Sequence, residues 1–598
     1  MHQEEKAGTV VEHHEDVQTS SVTLNERQEP ELIGLVANVD ELPKGYFRSK
    51  NFLGSLLATE LGLMAAVAQF GYIAPILSLI NADLGPDPNY IWISLIYNVC
   101  LSVFLPIVGR LSDIFGRRNF MIGGAILGVV GTIICATSQS INVLIGGNVI
   151  CGLANATQMS FHVVMGELVP LRYRYKINAI LYISCIPASA LGGIVAYSFV
   201  VHYPSVSWRG PYYLLIAING LALICWVLFY YPPNFRNLHM DQGDKSKKAF
   251  WIRHYDYVGT VLFAAGFVMF TIGLNSGGSV YPWISGRVIG MIVGGFAVLV
   301  VFVLYEIYMP LKAPFMPMHL FKNVGWVMAS VLLGIGAGVY YAFAVIFPMQ
   351  SAVLYANGDL IYLGWLSCVP GSGIVCGQMV GGFLGERIGK VKYQCMAMFA
   401  LGGLFLGSAA VINVDNKSTE LALVFLGCWF IGWNETICLA NATITVHDQQ
   451  EIGVAGGVAG SIRGSISTIS LSVYTSVLTN RLTTTIPERV PLALIQAGLP
   501  ASSVADFLEA ITAGTAAAFE AVPGISASVI SAGMSAYRKA NTEAYSTVYI
   551  SVVGFAGLGF VLTFFAANTE SKMLGSVAAT LHGKDGADVV EREKAAQV

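Results

Sequence analysis

The sequence predicts an all-α membrane protein with fourteen transmembrane helices. Three observations carry that reading. Of its 598 residues, 55% are hydrophobic and only 12% are charged, whereas a water-soluble domain carries about a quarter charged residues. Fourteen apolar runs reach the roughly 20 residues that a bilayer-spanning helix requires. Lys and Arg collect on alternate loops between those runs, as they do when one side of the membrane retains positive charge.

Taken in order, residues 1–50 are polar and rich in Glu, Gln, His and Val, without the apolar segment of a signal peptide. They read as a disordered cytosolic tail, in which His13 and His14 are a solvated pair rather than a metal site. Six runs follow in residues 51–231, centred near Ala66, Val99, Val129, Val149, Pro187 and Leu221. Residues 232–322 hold a cytosolic linker and two inserted runs, centred near Gly266 and Gly295. Six more occupy residues 323–568, near Leu333, Pro370, Leu401, Leu426, Ser465 and Gly557. Two of the runs, at 361–384 and 452–478, have their hydropathy diluted by Gly and Ser. An outer loop at 480–545 is Ala-rich, with Pro487, Pro491, Pro500 and Pro523 expected to break its helical stretches. It reads as a packed cap over the outer mouth. Residues 569–598 are a second charged, cytosolic tail.

With the N-terminus inside, the inner loops carry Arg110, Arg117 and Arg118; Arg172, Arg174 and Lys176; Arg236, Lys245, Lys247, Lys248 and Arg253; Lys312 and Lys322; and Arg387, Lys390 and Lys392. The short outer loops carry little beyond Arg209, Arg287 and Lys417. Both termini are therefore expected in the cytosol. Asn416 opens a glycosylation sequon in a very short outer loop, consistent with that topology.

The composition also excludes function classes. A net charge of −3 without a basic field does not suit nucleic acid. All ten cysteines lie in apolar runs, with no CxxC or HxxxH spacing for a metal. Gly385 to Lys390 has the wrong spacing for a phosphate loop, and no Gly-x-Ser-x-Gly elbow appears. An enzyme or an ATP-driven pump is not expected, and neither is a cofactor.

An internal repeat points to transport. Gly109-Arg110-Leu111-Ser112-Asp113-Ile114-Phe115-Gly116-Arg117-Arg118 follows the second run. Gly382-Phe383-Leu384-Gly385-Glu386-Arg387-Ile388-Gly389-Lys390 follows the tenth. With the first glycines aligned, an acid, a glycine and a base fall in the same places. Setting aside the two inserted runs leaves two matching six-helix halves, as internal repeats build many transporters. Gly109 and Gly116 permit a tight turn and close helix contact. Asp113 sits at a helix end, where it can pair with Arg117 or accept from the N-terminus of a neighbouring helix. Glu386, Arg387, Gly389 and Lys390 form the second copy. Such a cluster can latch the inner face in one state and release it in the other.

The stretch Gly109–Arg118 resembles the loop signature of the major facilitator superfamily, departing at Ile114 where the family usually has a base. Trp208-Arg209-Gly210-Pro211-Tyr212-Tyr213, with Ile218-Asn219, resembles the start of the sixth helix in its fourteen-span drug–proton antiporter branch. Gly432-Trp433-Asn434-Glu435, Asp448-Gln449-Gln450-Glu451-Ile452-Gly453, Gly456 to Arg463 and Asn480-Arg481-Leu482 look like the fungal trichothecene efflux pump family. The resemblance runs over residues 45–570. It implies a major facilitator fold and proton-driven export of a hydrophobic toxin by a plasma-membrane or storage-membrane carrier, with self-protection as the consequence. The same family takes in siderophore–iron carriers, so uptake of a siderophore is the competing expectation. Two antiporter hallmarks are altered: Asn148 stands four residues before Gly152 where relatives carry an arginine, and Gly192-Gly193 falls two positions late after Pro187.

Ionisable groups inside a bilayer are costly and usually functional. Glu60 lies about two turns into the first run, Glu435 in the twelfth and Arg463 in the thirteenth. Gly456 and Gly460 share the face of Arg463, which therefore points at protein rather than lipid. Glu435 and Arg463 lie at similar depth on consecutive antiparallel helices, so they can pair. Either Glu435 or Glu60 could bind and release the coupling proton, with the proton gradient as driving force; the alternative is a static pair that fixes packing. Gln69, Tyr72, Gln158, His162, Trp433 and Asn434 are candidates for an amphipathic cavity near the midplane. The expected partners are the small-molecule substrate and the lipid bilayer, with the chain a monomer.

Overall fold

The computed structural model describes residues 32–581, apart from position 43 and the segments 234–247, 279–280, 412–414 and 514–515. The tails 1–31 and 582–598, the His13–His14 pair and the linker bases Arg236, Lys245 and Lys247 lie outside the described residues. Among the described residues, eleven helical stretches are long and apolar enough to cross a membrane. The expected runs centred near Val149, Pro187 and Ser465 are helical without meeting that criterion, each for its own reason.

The chain begins its helices with α1 (Lys50–Gly71), started by the Ser49 side chain accepting from Phe52 N, and a short α2 (Leu77–Leu84). Long helices α3 (Trp92–Phe115) and α4 (Arg117–Thr137) follow. The fourth run is split at Met159–Ser160 into α5 (Ile141–Gln158) and α6 (Phe161–Leu168). The fifth is split around Pro187, which lacks a backbone N–H. There α7 (Arg174–Ile183) and α8 (Gly192–His202) flank a π-turn at Ile186–Ala190. Helix α9 (Gly210–Phe229) and the short α10 (Lys248–His254) lead to a hairpin of α11 (Tyr257–Ser276) and α12 (Gly286–Tyr308). The C-terminal group comprises α13 (Val324–Leu354), α14 (Leu360–Ile388), α15 (Val391–Ser408), α16 (Lys417–Ile444) and α17 (Ile452–Gln496). It closes with α18 (Val504–Ala513), α19 (Ala516–Glu520) and α20 (Ala527–Thr563).

The expected loop at 480–545 is mostly helix. Helix α17 runs straight through Pro487 and Pro491, which were expected to break it. Thr483 and Pro487, whose carbonyls lose a helical donor to those prolines, are exposed, so water can replace the missing bonds. Only Pro500 and Pro523 sit between helices. Val490, Leu494, Phe507 and Val529 bury a small core among α17, α18 and α20, which makes this region a packed helical cap.

The expected tails are also partly folded. Leu32 and Leu35 pack on the main core. Ile33 N donates to His447 O at 3.1 Å, and Gln449 N returns a bond to Ile33 O at 2.9 Å. Strand β1 (Ala37–Asn38) pairs antiparallel with β2 (Ser576–Val577), Ala37 opposite Val577. Beyond β2, Ala578 N and Ala579 N donate to Glu167 O. A few apolar side chains and open backbone groups suffice to order this strap in an otherwise polar segment. We call the side that carries it the terminal face and the opposite side the far face.

The N-terminal helices (α1–α9) meet the C-terminal group (α13–α20) along two seams, α3 against α17 and α7–α8 against α14. The first seam is glycine-lined, as the spacing around Arg463 anticipates. A Cβ at Gly109 would stand 2.3 Å from Gly453 O, and one at Gly464 would stand 1.9 Å from Ser102 Oγ. The α11–α12 hairpin packs on itself and touches α3 and α17. Only 17% of the most apolar window of α12 is buried, leaving the rest to face lipid.

Candidate functional site

Between the two groups of helices lies a central cavity whose floor is charged. Helix α16 presents Glu435 and Leu439, one turn apart, to its wall, and α17 presents Gly460 and Arg463. Arg463 donates to Glu435 Oε1 from Nη2 at 2.5 Å and from Nε at 3.0 Å. The second carboxylate oxygen accepts from Gln378 Nε2 on α14 at 3.0 Å. The guanidinium carbon lies 5.4 Å from the Tyr341 ring centroid, a cation–π distance. Side-chain exposure is 17% for Arg463 and 2% for Glu435, so both charges are largely removed from solvent and sustained by each other. The opposing wall is aromatic, with Phe70, Tyr97, Phe161 and Tyr182 from the N-terminal helices.

The predicted Glu435–Arg463 contact is thus present. Glu60 is not part of it: this residue is half-buried on α1, does not line the cavity, and its backbone carbonyl accepts from Ser184. Of the six cavity candidates only His162 lines the wall. The break between α5 and α6 turns Phe161 and His162 inward, with His162 Nδ1 3.1 Å from Met159 O. Gln158, before the break, instead donates to Asn219 on α9 at 2.6 Å. Gln69 donates to Asn148 at 2.8 Å, and Tyr72 is buried in a separate apolar cluster. Trp433 and Asn434 are out of phase with Glu435 on the same helix. Trp433 Nε1 reaches Gln394 at 3.1 Å and Asn434 Nδ2 reaches Leu332 O at 3.5 Å, both within the C-terminal group. Tyr341 and Gln378 were missed; the signal for Gln378 was a lone amide inside a glycine-rich apolar run.

The terminal face below this cavity is closed. Asp113, at the end of α3, does both things its position allows. Its Oδ1 accepts from Arg117 Nη2 at 2.7 Å, and its Oδ2 accepts from Val454 N, in the first turn of α17, at 2.7 Å. Arg117 also pairs with Glu167 at the end of α6 and donates to Ser112 Oγ at 3.1 Å. Glu167, which the sequence reading missed, completes the cluster. Gly116, the residue before α4, has φ +88°, a backbone conformation that favours glycine. Arg110 is half-buried at the same helix end. Arg118 lies outside the cluster, 3.9 Å above the Tyr231 ring and donating to Val227 O at 2.8 Å.

The second copy is built differently. Glu386 pairs not with Lys390 but with Lys176 of α7, at 2.8 Å. Arg387 and Lys390 are exposed, Gly389 has φ +62°, and Lys390 N donates to Glu570. Next to Lys176, Arg174 donates to Thr443 O at 2.9 Å and to Gln449 Oε1 at 2.8 Å, while Tyr175 OH donates to Asn441. Three consecutive side chains at the start of α7 therefore grip the C-terminal group. Asn416, on the far face, is exposed at the start of α16.

A charged pair lies on an internal cavity wall above a latched face, and comparison with known proteins gives the family. The model of the family described as "Fungal trichothecene efflux pump (TRI12)" matches residues 9–591. The chain belongs to the fungal trichothecene efflux pump family. This family member is 28% identical over 569 residues to the trichothecene efflux pump TRI12 of Fusarium sporotrichioides, covering 94% of each chain. It is 29% identical over 410 residues to the pump of the same name from Trichoderma arundinaceum, covering 68% of this chain and 67% of the relative. A Penicillium rubens MFS-type transporter, prx5, is 27% identical over 547 residues, covering 90% of this chain and 94% of that one. Among solved structures, the human organic anion transporter MFSD10 (TETRAN) superposes with a TM-score of 0.52 at 12% identity, over 86% of this chain and all of that one. That likeness shows the fold alone. The fold is that of the major facilitator transporters, and this family member is a multi-span membrane transporter of the efflux type.

Proposed function

We propose that this chain exports a fungal secondary metabolite, most simply a trichothecene toxin, by proton-coupled alternating access, and thereby protects the cell that makes it. The observation that carries this reading is the Glu435–Arg463 pair, buried on the wall of the cavity between the two groups of helices in a member of an efflux family. Glu435 would take the proton. Neutralising its carboxylate removes the partner of Arg463, leaving the guanidinium to its contact with Tyr341. Breaking a buried ion pair one-sidedly costs about 3–5 kcal/mol, enough to bias the carrier between its two openings. A site shared between proton and substrate moves each in turn. Siderophore uptake is not favoured, because the relatives named above are transporters, two of them trichothecene efflux pumps.

In this reading the chain spans the plasma membrane fourteen times as a monomer, with both ends in the cytosol. Residues 51–231 and 323–568 are its six-helix halves, α11 and α12 are the inserted pair, and the terminal face looks inward. Expression in a toxin-sensitive yeast without its own broad pumps tests it. Cells loaded with labelled trichothecene should lose the label faster with the chain than without it, a protonophore should abolish the difference, and Glu435→Gln should do the same. Accumulation of ferric siderophore with no change in toxin label refutes it.

A further inference from the structure

A second cavity opens on the far-face side and is the larger of the two. The central cavity has a volume of about 60 Å³, room for a few waters. Sites for drug-sized ligands occupy about 300–1,000 Å³. The far-face cavity, at about 410 Å³, falls inside that range. Phe70 lines both. Its ring meets Tyr341 edge-on at 5.0 Å and stacks on Tyr97 at 6.3 Å, so three aromatic rings stand where one space gives way to the other. With the terminal face latched, the way from the central cavity to the far face leads past these rings.

We infer that the far-face cavity is a second, vestibular ligand site that holds the exported molecule after it passes Phe70, an inference that rests on the export reading above. Its wall selects the ligand class. Leu77, Ile346, Met349 and Leu471 make it apolar, while Ser94 and Thr475 add hydroxyls. Among the described residues, no charged side chain stands on this wall, in contrast to the Glu435–Arg463 floor of the central cavity. A charged ligand would lose its hydration there without compensation. The site therefore suits a compact neutral molecule, mostly apolar, with a few hydroxyl groups. The inserted hairpin gains a role as well. The far end of α11 supplies Leu274 and Asn275 to the wall, and Asn275 Oδ1 accepts from Ser472 Oγ of α17 at 2.9 Å. The inserted hairpin thus forms part of the exit.

Purified full-length protein in nanodiscs tests this with two added cysteines, Ser189→Cys on the central wall and Thr475→Cys on the vestibular one, with Ser476→Cys as substitute if Thr475→Cys does not fold. Maleimide labelling is followed over the wild-type background, with and without a trichothecene. At about ten times its Kd the ligand should slow labelling roughly tenfold at Thr475→Cys, and also at Ser189→Cys once cycling has widened the central cavity beyond its latched volume of about 60 Å³, and equilibrium dialysis should find two molecules per chain. Protection of Ser189→Cys alone, or one molecule per chain, overturns the vestibular site and leaves the export reading standing. Protection at neither position overturns the substrate class, and this site with it. Protection of Thr475→Cys by a long-chain fatty acid but not by the trichothecene assigns the cavity to lipid and overturns the inference.

Discussion

Gly457→Ala should prop open the terminal face. Gly457 of α17 faces the backbone of α3. A Cβ there would stand 2.6 Å from Leu105 O, 2.9 Å from Pro106 Cα and 3.2 Å from the Leu105 carbonyl carbon. All three are main-chain atoms, so no rotamer change relieves the clash and the helices must separate. Overpacking of this kind costs about 1–3 kcal/mol. The cost falls on the state in which α3 and α17 touch, so about 2 kcal/mol shifts the balance toward the parted state by about 30-fold. Thr443→Cys reports the change, because Thr443 is buried at this face and it is its backbone carbonyl, which the substitution retains, that accepts from Arg174. Maleimide should label it about 30-fold faster in the Gly457→Ala background. Gly123→Ala, where a Cβ meets nothing within 4 Å, is the control and should leave the rate unchanged. Wild-type labelling in a properly folded Gly457→Ala protein refutes the idea that this seam closes the face.

Glu435→Gln should lower stability by about 3–5 kcal/mol, since Arg463 keeps its charge without a partner. Adding Arg463→Gln should recover much of that loss, and denaturant unfolding in detergent measures both; a double variant no better than the single would show that the pair is not the source. Asp113→Ala loses the bond from Val454 N and one partner of Arg117. It should shift the Thr443→Cys reporter by about 1.5–3 kcal/mol, whereas Arg118→Ala, which lies outside the cluster, should not move it. Oxidising an Ala37→Cys/Val577→Cys pair should slow efflux reversibly, because these residues face each other across β1 and β2 and antiparallel partners lie about 4.5–5.5 Å apart at Cα. Unchanged flux in fully cross-linked protein would mean that the strap never parts during the cycle.

Features written in hydropathy and charge were legible in the sequence. Long apolar runs gave most of the helices, and the glycines near Arg463 foretold a tight helix seam. Glu435 and Arg463 could be paired because two consecutive antiparallel helices leave few alternatives. What stayed hidden depends on helix phase and on contacts across distant segments. Trp433, Asn434 and Glu435 are adjacent in sequence, yet about 100° separates successive residues around a helix, and only Glu435 meets the cavity. Gln158 and His162 part company because the helix breaks between them. The second loop copy shares its spacing with the first, but Glu386 finds Lys176 from another helix rather than the base in its own loop. The order in residues 32–42 could not be read from composition, since it comes from pairing with the far end of the chain.

That pairing bears on how the protein is made. Asn38 meets Ser576 across 538 residues of sequence. The strap therefore cannot form until the last helix has left the ribosome and the C-terminal segment has reached the terminal face. A chain that stops short of residue 576 lacks the strand that pairs with the segment leading into α1. Pairing of the strap therefore follows synthesis of residues 576–577, and a chain cut before them leaves the Ala37–Asn38 edge without its partner strand.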